Sequence, residues 1–349
     1  MKTAVLYGGH DIRVEEWPEP AAGRDEVVVR IRAAGICGSD LRHYRGERPD
    51  AEYPIRAGHE LSGEVVGLGP GVTTLDLGQR VGVEPLHLLG CGVCIQCRRG
   101  AYHVCARRGL RDQHAVHSSG FSELDVAPVE NVYPLPDSVS FEAAALLDVY
   151  AVAVHGVHRL APRPFETVVV VGTGAVGLTQ GQVARALGAR QVVLVGRRSE
   201  PLRTARECGA ADAVIDTSTD DPVQAIQDLT DGAGADVVFE SSGGRGAIQL
   251  CVDLAGFGGR IGVVGLYAVP ESIDASSAMR KELDVMWVNS YSTWDGRREY
   301  AMALDLLAAG RVQAGSLVTH RVSLDGIADG FSSADAKARS GALKVMVRP

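Results

Sequence analysis

The sequence predicts an α/β chain of two domains, a β-rich first domain and a doubly wound parallel sheet in the second. Three observations carry this. The chain has 349 residues, enough for two cores at roughly 150 residues per domain. Residues 1–152 are dense in Gly, Pro and β-branched residues in short runs such as EVVVRIRAAG, ELSGEVVGLG and QRVGVEP, the signature of strands joined by turns. Over 153–289 apolar runs alternate with amphipathic helical stretches: TVVVVG, GLTQGQVARALGA, QVVLVG, SEPLRTAREC, then ADVVFES and GRIGVVGL. That alternation belongs to a parallel sheet with helices on both faces. Residues 290–349 hold a helix, REYAMALDLLAAG, and a last strand, LKVMVRP, which are expected to return to the first domain.

Composition narrows the function classes. A hydrophobic share of 46% and a charged share of 22% are ordinary for a globular protein, and no apolar run of about 18 residues marks a membrane span. The opening MKTAVLYGGHDIRVEEWPEP reads as strand and turn rather than as a secretory leader, so a cytoplasmic location is expected. The net charge of −8 comes from interspersed acids and bases, with no basic stripe for nucleic acid. Four of the seven cysteines crowd one stretch, which favours metal over disulfides. Cys208 and Cys251 stand alone among apolar neighbours and read as small buried residues.

Within VVVVGTGAVGLTQ, Gly172, Gly174 and Gly177 follow a four-valine strand and open a helix, with Ala175 and Val176 between the last two glycines. This is the context that turns G-x-G-x-x-G into a Rossmann dinucleotide fingerprint. Gly172 permits the tight turn, Gly174 lets amides approach the pyrophosphate, and Gly177 lets helix pack on strand. About twenty residues further on, the second strand ends at Gly196, where an NAD enzyme would offer an acid to the ribose hydroxyls. Glycine leaves room for a 2′-phosphate, and Arg197 and Arg198 are able to pair with it. NADP(H) is therefore expected over NAD(H).

The run CGVCIQCRRGAYHVC sets Cys91, Cys94, Cys97 and Cys105 at a spacing suited to a closed tetrahedral zinc of structural type. A disulfide or an iron–sulfur cluster is the weaker alternative. A second set of ligand types lies in GICGSD (Cys37), AGHELSG (His59 and Glu60) and ALLDVYAVAVHG (Asp148).

GICGSD, GHELSGEVVGLG, the cysteine array, SGFSELDVAP and VGTGAVGL, in this order and spacing, closely resemble the zinc-containing medium-chain alcohol dehydrogenases, above all the sorbitol and threonine dehydrogenase branch. The resemblance spans nearly the whole chain. It implies a GroES-like first domain, a Rossmann second domain, and two zinc ions per chain, one structural and one catalytic. It maps the catalytic ligands onto Cys37, His59 and Asp148, with Glu60 behind the metal and able to enter its coordination. One thiolate, one imidazole and one carboxylate leave a fourth position open, as a catalytic zinc requires. Zinc that lowers the pKa of water to about 7 would likewise favour loss of an alcohol's proton. The implied substrate is a small secondary alcohol or polyol, or the matching ketone, and the implied assembly is a homodimer or homotetramer.

The family places a proton-relaying hydroxyl at Ser39. Its usual relay histidine, five residues past the cysteine, is replaced by Arg42, and His43 follows. Asp40 reads as a turn or capping acid. The polyol enzymes carry an arginine where this chain has WVNSYSTWDG with Tyr291, which counts against sorbitol itself. Trp294, Tyr291, Tyr44 and Arg45 are candidate pocket residues. Two other readings stay open: a zinc-bearing NADPH reductase of a C=C or C=N bond, which Ser39 counts against, and a non-catalytic NADPH-binding protein, which the retained Cys37, His59 and Asp148 count against.

Overall fold

A computed structural model describes residues 1–48, 51–85, 90–107 and 119–349. The chain divides into two compact units: residues 1–148, 292–308 and 317–349 form the first, and 149–291 with 309–316 the second. Among the described residues no helix is long and apolar enough to cross a membrane.

The first unit is built on a mixed sheet. Its path runs Val318–Ser323, Lys344–Arg348, Glu26–Gly35, Glu60–Leu68, Arg80–Val83, Val132–Pro134, with Leu124–Pro128 also paired to Glu26–Gly35. The last two strands of the chain thus join the sheet begun by the first fifty residues, Lys344–Arg348 antiparallel to Glu26–Gly35. Alternation in EVVVRIRAAG sends Val27, Val29 and Ile31 into the core, as a strand with one dry face must. A small second sheet orders Asp11–Glu16, Lys2–Gly8 and Ile55–Arg56. Phe331, on the helix Ile327–Asp335, seals this core against Tyr44 at 5.1 Å and Phe121 at 5.6 Å between ring centroids.

The second unit holds a six-stranded parallel sheet in the order Ala213–Asp216, Gln191–Gly196, Thr167–Val171, Ala235–Glu240, Ala255–Val263, Asp284–Trp287. Numbered along the chain, this is the 3-2-1-4-5-6 order of the dinucleotide-binding fold. Strands buried on both faces read as continuous apolar runs, which is why TVVVV and QVVLVG stand out in the sequence. The order reverses between Thr167–Val171 and Ala235–Glu240, which places the ligand crevice of such a sheet at their carboxyl ends.

Phe331→Ala should cost about 3–5 kcal/mol, read as an earlier urea midpoint for the first unit.

Candidate metal and cofactor sites

The antiparallel register brings the first cluster together. Gly35 pairs with Glu60 on one side and with Met346 on the other. A Cβ on Gly35 would lie 2.1 Å from Glu60 Oε2, so glycine is what gives the Glu60 carboxylate its place. Two residues on, Cys37 caps the short helix Gly38–Tyr44. The sulfur of Cys37, a ring nitrogen of His59 and a carboxylate oxygen of Glu60 lie within 4.8 Å of one another.

Asp40 has two tasks. Its Oδ2 accepts from the Cys37 amide at 2.9 Å, closing the cap, and its Oδ1 lies 3.5 Å from His59 Nδ1. A carboxylate behind a histidine fixes ring orientation and leaves the other nitrogen to a ligand. Burial opposes a charged His59, but Asp40 and Cys37 outweigh it and hold its pKa well above the ordinary value. A cluster that draws a proton onto its imidazole is electron-rich enough to draw a cation instead.

Glu60 does not stand in that cluster uncompensated. Lys344 Nζ donates to both of its oxygens at 2.7 Å and to the Ile36 carbonyl at 3.3 Å. The pair is sealed, with Lys344 4% exposed and Glu60 0%. Burial works against the ammonium, yet Glu60 prevails and raises the Lys344 pKa. Lys344 is a residue that no local pattern marks, as it lies 284 positions from its partner.

Ser39 Oγ lies 3.4 Å from His59 Nε2. Asp148, in the first turn of the helix Leu147–Leu160, is buried but is not one of the three clustered groups. His43 offers its carbonyl to Tyr53 Oη at 2.7 Å. Of the pocket candidates, Tyr44 belongs to the core of the first unit, where it packs on Phe331. Arg45 pairs with Asp335 at 2.5 Å. Tyr291 is fully buried and Trp294 half-buried. Tyr44 and Arg45 thus have structural employment that the loop sequence does not announce.

The four-cysteine array folds into a second cluster. Sγ–Sγ distances are 4.0 Å for Cys91 and Cys97, 3.5 Å for Cys94 and Cys97, and 3.8 Å for Cys94 and Cys105. A tetrahedron with Zn–S of about 2.3 Å has edges of about 3.8 Å, so the donors fit zinc. Amides of Cys91, Cys94 and Arg107 point at the sulfurs at 3.3 Å. The Cys97 amide helps bring the Cys94 thiol down to about 6, while burial pushes Cys97 up to about 12. Four thiols so close cannot all ionise without a cation among them. The lobe is tied down by Tyr102, whose hydroxyl donates at 2.6 Å to the buried Glu84, itself paired with Arg298 at 3.2 Å.

In the second unit, the turn after Thr167–Val171 carries the glycine loop. Gly172 adopts φ of 116°, the region glycine tolerates. Gly174 caps the helix Ala175–Ala186, so Ala175, Val176 and Gly177 form its first turn. A Cβ on Gly177 would meet the Gly172 carbonyl at 2.0 Å, whereas one on Gly174 would meet nothing within 4 Å. Open space before a helix N-terminus is the cradle a pyrophosphate needs. Gly196 ends its strand, and a Cβ there would press on Thr173 Cγ2 at 2.5 Å. Arg197 is exposed, and Arg198 caps the helix Ser199–Glu207.

These features describe a zinc-binding oxidoreductase with a nucleotide domain as the class, and comparison with known proteins agrees. Residues 23–137 match the alcohol dehydrogenase GroES-like domain and 175–309 the zinc-binding dehydrogenase family. The chain is 35% identical to the sorbitol dehydrogenase of Halalkalibacterium halodurans, over 100% of this chain and 99% of that one. A zinc-binding dehydrogenase of Sinorhizobium meliloti 1021 solved with NADP is 30% identical, with a TM-score of 0.88 and coverage of 100% and 99%. An alcohol dehydrogenase of Escherichia coli CFT073 solved with NADH is 26% identical, with a TM-score of 0.89 and coverage of 100% and 99%. The chain belongs to the zinc-containing medium-chain dehydrogenase family, within its alcohol and polyol dehydrogenases.

Lys344→Met should destabilise the fold by about 3–5 kcal/mol, because it leaves the Glu60 charge buried and alone. As the folded pKa of Lys344 is raised above 10.5, the pair's contribution is whole below that pH and is lost as pH climbs through the folded value. Urea melts of both proteins from neutral to strongly alkaline pH should show the gap narrowing only at the alkaline end.

Proposed function

We propose that the protein transfers a hydride between NADP(H) and a secondary alcohol or polyol, or the matching ketone. The observation that carries this is the Cys37–His59–Glu60 cluster with its Asp40 and Lys344 supports, in a chain that also presents an open glycine loop. When bound, zinc supplies a Lewis acid for the substrate oxygen and the nicotinamide a hydride acceptor or donor.

We take Cys37, His59 and Asp148 as the catalytic ligands: with Lys344 cancelling Glu60, Cys37 as thiolate and Asp148 as carboxylate would neutralise a divalent ion, and His59 would be the uncharged third ligand. Glu60 stands beside them as the carboxylate already in reach. Asp40 keeps His59 turned toward the metal. Ser39 Oγ takes the proton of the substrate hydroxyl and passes it outward, a short general-base relay. Arg42 cannot extend that relay, since a guanidinium does not give up its proton near neutral pH. Cys91, Cys94, Cys97 and Cys105 hold the structural ion. We expect the protein to work in the cytoplasm as a homodimer or homotetramer.

Preference for the phosphorylated nucleotide is supported by Gly196, which presents no acid, and by Arg197 and Arg198 beside it at the start of a helix. Thr173 occupies the space a side chain at 196 would need, which keeps that position small.

Wild-type protein should hold about two zinc ions per chain, and Cys94→Ser and Asp148→Ala about one each, by metal analysis. Two ions retained in Asp148→Ala would pass the third-ligand role to Glu60. Zinc-loaded protein given NADPH with ketones, enones and imines should reduce ketones; reduction confined to C=C or C=N bonds would overturn the alcohol reading. The Arg197→Ala, Arg198→Ala double variant should raise KM for NADPH about 10–100-fold, the worth of one charge-assisted hydrogen bond or slightly more, and leave KM for NADH unchanged. A wild-type preference for NADH would refute the phosphate reading.

A further inference from the structure

A second buried carboxylate lies far from the metal cluster in sequence, at the reversal point of the parallel sheet. Glu240 is the last residue of Ala235–Glu240 and pairs in register with Val171, the last residue of Thr167–Val171. It is 0% exposed, and among the described residues no cation pairs with it. A desolvated carboxylate without a cation persists only where hydrogen bonds hold its charge.

Three hydrogen bonds come from the next turn and reach one oxygen, and the Tyr267 hydroxyl stands beside the same carboxylate. Oε1 accepts from the Ser242 hydroxyl at 2.6 Å, the Ser242 amide at 2.8 Å and the Gly243 amide at 2.9 Å. Oε2 takes no part in those three bonds, and its room comes from Gly265, where a Cβ would lie 2.2 Å away. The Glu240 carbonyl accepts from Val264 at 2.8 Å and Gly265 at 3.0 Å, so the carboxylate's own backbone is fixed by the neighbouring strand. The Ser241 amide then donates to the Val171 carbonyl at 2.9 Å.

The turn held this way is the wall against which the glycine loop begins. A Cβ on Gly172 would meet the Ser242 amide nitrogen at 2.9 Å, the Ser241 carbonyl carbon at 3.0 Å and Ser242 Cβ at 3.1 Å. Ser242, hydrogen-bonded to Glu240, thus stands where a side chain at 172 would have to go.

We propose that Glu240 is a positioning residue for the dinucleotide: its buried carboxylate holds the Ser242–Gly243 turn against Gly172 and so fixes the geometry of the pyrophosphate-binding loop. The proposal rests on the dinucleotide reading but not on the choice between NADP(H) and NAD(H), since the pyrophosphate is common to both.

The test is titration of the zinc-loaded full-length protein with NADPH and with NADH, followed by nucleotide fluorescence, with steady-state kinetics alongside. Glu240→Ala should weaken both nucleotides by the same factor, about tenfold or more, since loss of about 1.4 kcal/mol is tenfold. It should raise KM for the nucleotide while kcat at saturating nucleotide, KM for the alcohol and zinc content stay near wild type. Glu240→Gln keeps an oxygen for the same three donors and should restore binding to within about threefold. Ser242→Ala, which deletes one donor and leaves the carboxylate, should fall between and decides the matter if Glu240→Ala does not fold. Wild-type affinity for both nucleotides in folded Glu240→Ala, or in Ser242→Ala where that variant decides, overturns the proposal, as does a Gln variant as weak as the Ala one. A wild-type protein that binds neither nucleotide overturns the dinucleotide reading and this proposal with it. An NADH preference overturns the phosphate reading alone.

Discussion

The first unit is organised around a charge that water cannot reach. Glu60 is buried beside a thiol, an imidazole and Asp40. A carboxylate there is tolerable only with a cation against it, and Lys344 is that cation. Three strands must align for the pair to form: Glu60 opens one, Lys344 opens another, and Gly35 ends the strand between them. Any side chain at 35 would evict the carboxylate. Pairing of the C-terminal strand with Glu26–Gly35 thus delivers the cation that Glu60 needs.

The two clusters differ in their donor sets. In the four-cysteine lobe the sulfurs lie close together and amides turn inward. Such a set has nothing to gain from a substrate. Around His59 the donors are of three different kinds and one is already neutralised by Lys344. The divalent charge left to bind is met by fewer ligands than a closed tetrahedron needs. The proposed roles of brace and of open site rest on this difference of ligand set, rather than on a difference of metal.

Legibility followed sequence separation. The cysteine array and the glycine loop are readable because each concentrates its chemistry within one short segment whose neighbours name its local structure. Cys37 and His59 are readable as types, and the motifs around them gave their pairing through resemblance. The supports were not readable. Lys344 is one lysine in a terminal strand, and its partner is set by register. Asp40 reads as a cap because it is one; that its second oxygen faces His59 depends on where another loop passes. The sequence around Tyr44 and Arg45 suggests a pocket loop, yet the two end a helix, and core packing on Phe331 and an ion pair with Asp335 claim them.

The Cys37–His59 cluster and the wall of the glycine loop each contain a buried carboxylate, and the two differ in their partners. Where the partner is a lysine, as at Glu60, the charge is cancelled and the place is fixed with the ligands left free to bind a cation. Where the partners are amides and a hydroxyl of a single turn, as at Glu240, the charge is spread over the loop it shapes. The first arrangement favours binding a metal, because the surrounding sulfur and carboxylate charge remains unspent. The second favours rigidity, because moving the turn would strip a desolvated carboxylate of three donors at once. A crevice that must meet a flexible dinucleotide with little reorganisation gains from that stiffness, as binding then costs less ordering of the protein.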